Sequence, residues 1–162
     1  AIHEARATDL HCVMHTHEPI SQTMCSINEK FVPMVQEACQ LYERIGYHDF
    51  EGIVLDGSEK ERLINALGKK NHTLVLKNHG LLTAGPSAIW AFVRHQIFIR
   101  NSDIQLRALA SGVEISQIPI DVIKHTREQF EGGSAQGGAA VRHPEWPAFW
   151  RLLDKLDPNW KT

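Results

Sequence analysis

The sequence predicts an α/β domain, on three observations. Apolar runs of strand length occur at Leu10–Thr16, Thr73–Lys77 and Leu81–Ala84. Longer segments between and after them repeat apolar residues at helical spacing. Glycine, proline and asparagine punctuate the junctions. Strands and helices in alternation bury their apolar faces by layering helices on a sheet. A length of 162 residues fits one such domain with a core of its own.

Taken in order, the opening IHEARA reads as the last turns of a helix. Leu10–Thr16 alternates and is rich in apolar residues, as a buried strand is. Pro19–Ile27 reads as a helix with proline in its first turn, where a missing N–H does no harm. Pro33–Ile45 predicts a second helix, with Met34, Val35, Ala38, Leu41 and Tyr42 on one face. Gly46–Gly57 carries turn residues and no helical period, which suits a loop and a short strand. Ser58 and Glu61 fit a capping box opening a helix that buries Leu63, Ile64 and Leu67 and stops at Gly68. Asn78-His79-Gly80 breaks the strand Thr73–Lys77, and Leu81–Ala84 resumes a short one. Gly85-Pro86-Ser87 starts the longest helix, to about Ala110, with Ile89, Phe92, Val93, Ile97, Ile104, Leu106 and Leu109 as its expected buried face. Another helix spans Ile120–Phe130. Residues 131–142 hold the segment GGSAQGGAA, whose composition suits a flexible linker. Residues 143–162 read as a C-terminal helix, and its three tryptophans are expected to dock on the domain or on a neighbouring subunit.

The net charge of −2 argues against a nucleic-acid partner, which needs clustered Lys and Arg to release counterions. No apolar stretch approaches a membrane span, and the first residues show no basic-then-apolar leader, so a cytoplasmic protein without a membrane partner is expected. Three cysteines, Cys12, Cys25 and Cys39, form no CxxC and are odd in number, as reduced structural thiols are. The first residue is Ala rather than Met, which points to a processed end or a piece of a longer chain.

Ten histidines are many for this length. His15 and His17 in HCVMHTHEP are two apart, so a strand aims both imidazoles at one face. Zinc and similar ions accept imidazole nitrogen at about 2.0–2.1 Å, but two ligands are too few. His79 follows the apolar strand TLVLK and precedes a glycine, so a sharp turn presents it at the sheet's rim. Three neutral imidazoles leave metal positions open, the pattern of a catalytic site. The alternative is a histidine-rich strand with nothing bound and His79 as a turn residue. His72, His95, His125 and His143 fall on predicted loops or helix surfaces and are expected to be solvated. His11 and His48 are polar neighbours, and Glu18 falls on the opposite strand face from the pair.

HTHEPISQTMCSIN, the YHDFEG loop and TLVLKNHGLLTAG with its long following helix resemble the class II aldolase/adducin family. That family includes fuculose-phosphate aldolase, ribulose-phosphate 4-epimerase, sugar-acid decarboxylases and the adducin head domains. The resemblance runs from IHEARATDLHCVMHTH to the final WRLLDKLDPNW, with HTH and NHGLL as its strongest motifs. It implies a three-layer α/β/α sandwich around a mostly antiparallel sheet. It also implies a homotetramer with active sites between subunits. The family's metal histidines map onto His15, His17 and His79, and its ion is usually zinc, with manganese, cobalt or nickel as alternatives.

The resemblance further implies a lyase that cleaves a small sugar phosphate or sugar acid through a metal-stabilised enediolate. Family epimerases and decarboxylases share that chemistry. The family's active-site tyrosine region falls near GYHDFEG, which makes Tyr47 and His48 catalytic candidates; Asp49 and Glu51 are loop acids close by. The family's acid/base Glu and phosphate-binding loops lie upstream of the segment matching IHEAR, so the expectation is a domain over 1–162 lacking its N-terminal part. Adducins offer the alternative, a non-catalytic module that works through protein contacts.

Overall fold

The apolar runs resolve into four strands: β1 (Cys12–Thr16), β2 (Ile45–His48), β3 (Thr73–Leu76) and β4 (Gly80–Gly85). The computed structural model describes residues 1–53, 57–135 and 146–161 of the chain. The strands lie in the order β1-β4-β3-β2. β4 runs antiparallel to both β1 and β3, whereas β2 runs parallel to β3. The sheet is therefore mixed rather than uniform. β3 and β4 are buried at every position, as central strands covered on both faces are.

Around the sheet stand α1 (Ile2–Ala5), α2 (Pro19–Cys25), α3 (Lys60–Leu67), α4 (Ala88–Ala110), α5 (Ile120–Ala135) and α6 (Trp146–Leu156). Strand side chains alternate between faces, and the core divides accordingly. Leu74, Leu76, Leu82 and Ala84 pack with Ile2, Leu10 and Leu67, under α1 and α3. Val75 and Leu81 pack with Met24, Cys25, Leu41 and Phe98, under α2 and α4. Among the described residues no helix is long and apolar enough to cross a membrane.

Three elements differ from expectation, each for a local reason. The helix over Pro33–Ile45 does not form; only Gln36–Leu41 coils, as a 3-10 helix. The preceding backbone is claimed by side chains of α4 instead. Val32 N–H donates to Gln105 Oε1 at 2.9 Å and Met34 N–H to Asn101 Oδ1 at 2.8 Å. Asn101 Nδ2 and Gln105 Nε2 donate back to the Val32 and Lys30 carbonyls. Those four bonds hold the segment extended, and Glu43, at φ 56°, ends the coil.

The same bonds explain the second difference. The buried face of α4 is Ala91, Val93, His95, Phe98, Asn101, Ser102 and Gln105, while Leu109 is 42% exposed. Hydrophobic periodicity places polar residues outward, and here they face in because they have partners. The third difference is α3, which starts after Glu59 with no side-chain cap, so Ser58 and Glu61 do not frame it as a capping box. Gly68, at φ 66°, ends α3 as expected.

α5 continues to Ala135, five residues into the expected linker, and 136–142 lie outside the described residues. α6 sets Trp146 and Phe149 against Phe92 of α4, with ring centroids 5.8 and 5.3 Å away. Its Trp150, Leu152, Leu153 and Leu156 remain exposed.

Candidate metal centre

β1 and β4 are paired, and the turn before β4 brings the third histidine to the end of the first strand. His15 in β1 and His17, the residue just past its end, meet His79. One ring nitrogen from each lies within 4.8 Å of the others. Ring centroids are 4.8, 5.0 and 4.7 Å apart, all edge-on. His15 and His17 are exposed, so the centre opens to solvent.

The protonation pattern can be read from the partners. His15 Nδ1 lies 2.9 Å from the Leu81 carbonyl, which only accepts, so Nδ1 carries the proton and Nε2 offers its lone pair. His15 Nε2 and His17 Nε2 are 3.0 Å apart. Two ligands at tetrahedral angles on an ion with bonds of about 2.05 Å stand about 3.3 Å apart, close to that separation. The donor set fits a borderline divalent ion, with at least one position left for another ligand. Burial first, then the neighbouring His15 and His17, holds the His79 imidazole below its ordinary pKa, so it is neutral and able to ligate near pH 7. In the absence of an ion, His17 Nε2–H can donate to His15 Nε2 across the same gap.

Two structural devices set this geometry. The turn at 77–79 is pinned by α2: Asn78 N–H donates to the Cys25 carbonyl at 2.9 Å, and Gln22 Nε2 donates to the His79 carbonyl at 3.1 Å. Asn78 sits at φ 55°, a conformation asparagine tolerates. Glu18, expected to point away from the pair, caps α2 by accepting from Ile20 and Ser21 N–H. Gly80 supplies the second device. A Cβ there would meet Thr16 O at 2.6 Å, His17 Cδ2 at 2.9 Å and His15 Cε1 at 3.2 Å. Only glycine lets the two histidines close over β4.

Sequence reasoning missed the support beneath the centre. His95, expected to be solvated, is 1% exposed. Thr83 Oγ1 donates to the Ala91 carbonyl at 2.8 Å and therefore accepts from His95 Nδ1–H at 3.0 Å. That leaves His95 Nε2 to accept from the Thr16 hydroxyl at 2.6 Å. The chain of donors fixes Thr16, the residue between His15 and His17. Burial holds the His95 pKa down to about 4, so the ring is neutral. The available signal was the position of His95 on the helix face shared by Ala91 and Phe98.

The other candidates are not brought to this cluster. Tyr47 lies in β2 and packs into the core beside Val75 and Phe98, with its hydroxyl accepting from Phe31 N–H at 3.1 Å. Burial raises its pKa. His48 ends β2, buried at 7% exposure, with Nε2 2.8 Å from Glu59 Oε1. With Glu51 these two form a separate group within 4.8 Å. Glu51 is also held by Arg62 at 2.8 Å, and Asp49 by Lys77 at 2.7 Å. His72 is half-buried rather than solvated, its pKa held well below the ordinary value by burial. His125 is exposed as expected, and His143 lies outside the described residues. The three cysteines are free thiols, two of them buried.

The chain has relatives of known fold. It superposes on the crystal structure of an aldolase II superfamily protein from Pseudomonas syringae with a TM-score of 0.85 and 33% identity, over 99% of this chain and 62% of that one. It superposes on L-fuculose 1-phosphate aldolase from Glaciozyma antarctica PI12 with a TM-score of 0.66 and 21% identity, over 88% of this chain and 58% of that one, a likeness of fold. It is 32% identical to alpha-adducin of Rattus norvegicus over 96% of this chain and 22% of that protein. The chain thus spans about three fifths of the bacterial protein and about a fifth of the adducin. The family model described as the class II aldolase and adducin N-terminal domain matches residues 1–106, and the chain belongs to that family.

Proposed function

We propose that the chain carries the metal centre of an aldolase-type lyase that cleaves a small sugar phosphate or sugar acid, a polyhydroxy carbonyl compound. The observation that carries this reading is the convergence of His15, His17 and His79, with His15 Nδ1 committed to Leu81 and Nε2 left for an ion. These three residues would hold zinc, or manganese, cobalt or nickel in its place. When bound, such an ion supplies Lewis-acid stabilisation of negative charge developing on the substrate.

The chain's own residues do the rest. Gly80 admits the histidines over β4, Thr16 and His95 hold the strand that carries them, and α2 holds the turn that presents His79. Of the two candidates in β2, His48 keeps a proton-handling role in this reading, with its Nε2 facing Glu59. Tyr47 is committed to Phe31 and the core and serves to position β2. The full assembly in this reading is a cytoplasmic homotetramer of three-layer α/β/α domains with mostly antiparallel sheets. The domain in this reading spans 1–162.

Metal analysis tests the reading directly. The purified chain is expected to hold about one divalent ion, and His15→Ala and His79→Ala are expected to lose it. A wild-type chain that binds no zinc, manganese, cobalt or nickel would sink the proposal.

A second reading, a non-catalytic module working through protein contacts, is favoured by the likeness to alpha-adducin over 96% of this chain. Retro-aldol assays against sugar phosphates and sugar acids on the metal-loaded protein separate the two.

A further inference from the structure

The opposite end of the β1/β4 ladder opens into a cavity of about 490 Å³. The histidines stand at the Thr16–Leu81 end of that ladder, whereas Leu10 and Pro86 on the cavity wall lie just past its other end, Cys12–Gly85. At about 3.4 Å per strand residue, the two ends are on the order of 15 Å apart.

Four cations line the cavity, Arg6, Arg44, Lys70 and Arg94, together with the rings of Trp90 and Phe130. Two of them are neutralised. Arg6 Nε is 2.9 Å from Asp9 Oδ1, and Arg44 Nη2 is 2.6 Å from Glu131 Oε1, both carboxylates being part of the wall. Arg94 and Lys70 have no ion pair among the described residues. Among the described residues Arg94 donates one hydrogen bond, to the Ala84 carbonyl at 2.6 Å, and its guanidinium lies 5.4 Å from the Trp90 ring centroid. Burial pulls its pKa down to about 10, and the more distant Asp9 and Glu131 only partly oppose that. A guanidinium removed from water without an anion is destabilising, and the wall is short of negative charge.

Neighbouring groups point the same way. The N-terminus of the 23-residue α4, beside Pro86, has no side-chain cap. The Ser87 hydroxyl there is buried and has no hydrogen-bond partner among the described residues. Helix N-termini favour anions through their free N–H groups and dipole.

We propose that this cavity binds a phosphate monoester, with the phosphoryl group held by Arg94 and Lys70 and the body of the ligand against Trp90 and Phe130. A guanidinium gives paired N–H donors to phosphoryl oxygens, an ammonium gives a compact charge, and aromatic faces take a flat body. The site is independent of the histidine centre, so it can be tested whether or not that centre holds a metal.

The test is isothermal titration of the full chain with AMP and with inorganic phosphate, at constant ionic strength and with EDTA present. AMP is expected to bind at least tenfold more tightly than inorganic phosphate. Arg94→Met is expected to weaken AMP at least tenfold, and His15→Ala to leave it unchanged. Should Arg94→Met fail to fold, Lys70→Glu at its exposed position carries the test, again with at least a tenfold loss expected. The proposal is overturned if neither probe binds, if AMP binding survives these two substitutions, or if it disappears in His15→Ala. AMP binding no more tightly than inorganic phosphate overturns the part assigned to Trp90 and Phe130.

Discussion

The Thr16 hydroxyl reaches Nε2 of His95 at 2.6 Å, joining the strand residue between His15 and His17 to the buried face of α4. Because Thr83 fixes the proton on Nδ1, this hydroxyl is the one donor to Nε2 among the described residues. Thr16→Val keeps the shape and removes the donor. An unpaired buried acceptor costs about 1–3 kcal/mol, so urea denaturation should show a loss of that size. Thr16→Ser should restore most of it. A wild-type midpoint for Thr16→Val would show that the bond contributes nothing.

His95 also sets a pH dependence. Its folded pKa is about 4 against 6.5 in an open chain, with burial as the main cause. His72 shifts in the same direction. Both rings are neutral when folded, so below about pH 6.5 the unfolded state binds more protons and stability falls until the folded pKa is passed. Asp9, Glu43, Asp49 and Glu51 have lowered pKa values and stabilise the fold only above the carboxylate range, so their contribution is lost at lower pH. Denaturation midpoints should therefore decline between pH 6.5 and 4.5, before the carboxylates titrate. His95→Gln should reduce proton uptake on unfolding at pH 5 by about one. A midpoint that is flat over that window contradicts the assignment.

A metal at the three histidines would stabilise the folded state by mass action. Free zinc at a hundred times its dissociation constant should add about 2.7 kcal/mol, visible as a rise in melting temperature that EDTA reverses. His79→Ala should abolish the rise and leave the apo melting temperature nearly unchanged, because His79 sits in a turn held by its backbone. An undiminished rise in that variant would place the ion elsewhere.

Gly80→Ala sets a Cβ 2.6 Å from the Thr16 carbonyl, and backbone has to move. A loss of about 1–3 kcal/mol is expected, with weaker metal binding as β1 is pushed off β4. Gly132→Ala is the control. It lies within α5 with nothing within 4 Å of an added Cβ, so a gain of about 0.5–1 kcal/mol is expected. Thermal melts of the two variants should move in opposite directions.

Asn101→Leu removes two of the four bonds that hold the segment extended, those to Met34 N–H and the Val32 carbonyl. Two part-buried backbone groups lose their partner, and a loss of about 1–3 kcal/mol is expected by chemical denaturation. Near-neutral behaviour would show that the segment is held by Gln105 alone.

The strands and most helices were legible because their apolar residues are local and regular: TLVLK, the proline at the start of α2 and the glycine after α3 each act within a few residues. The histidine cluster was legible because two of its members are two apart in one extended stretch and the third precedes a glycine. The segment after Pro33 was misread because its conformation is decided by Asn101 and Gln105, 67 to 75 residues away. The inner face of α4 was misread for the same reason, since polar residues with buried partners break hydrophobic periodicity. Tyr47 and His48 were adjacent in the sequence, but alternation on β2 sends them to opposite faces, one to the core and one to Glu59.

His15 and the Leu81 carbonyl it touches are 66 positions apart. A divalent ion shared by β1 and the turn before β4 would tie together nearly half the polypeptide, as a disulfide does, but reversibly. Such a clasp acts on the folded state, because only there do the three rings stand together. The histidines would then give the protein a fastening that tightens or loosens with the supply of free metal, with no change in the fold.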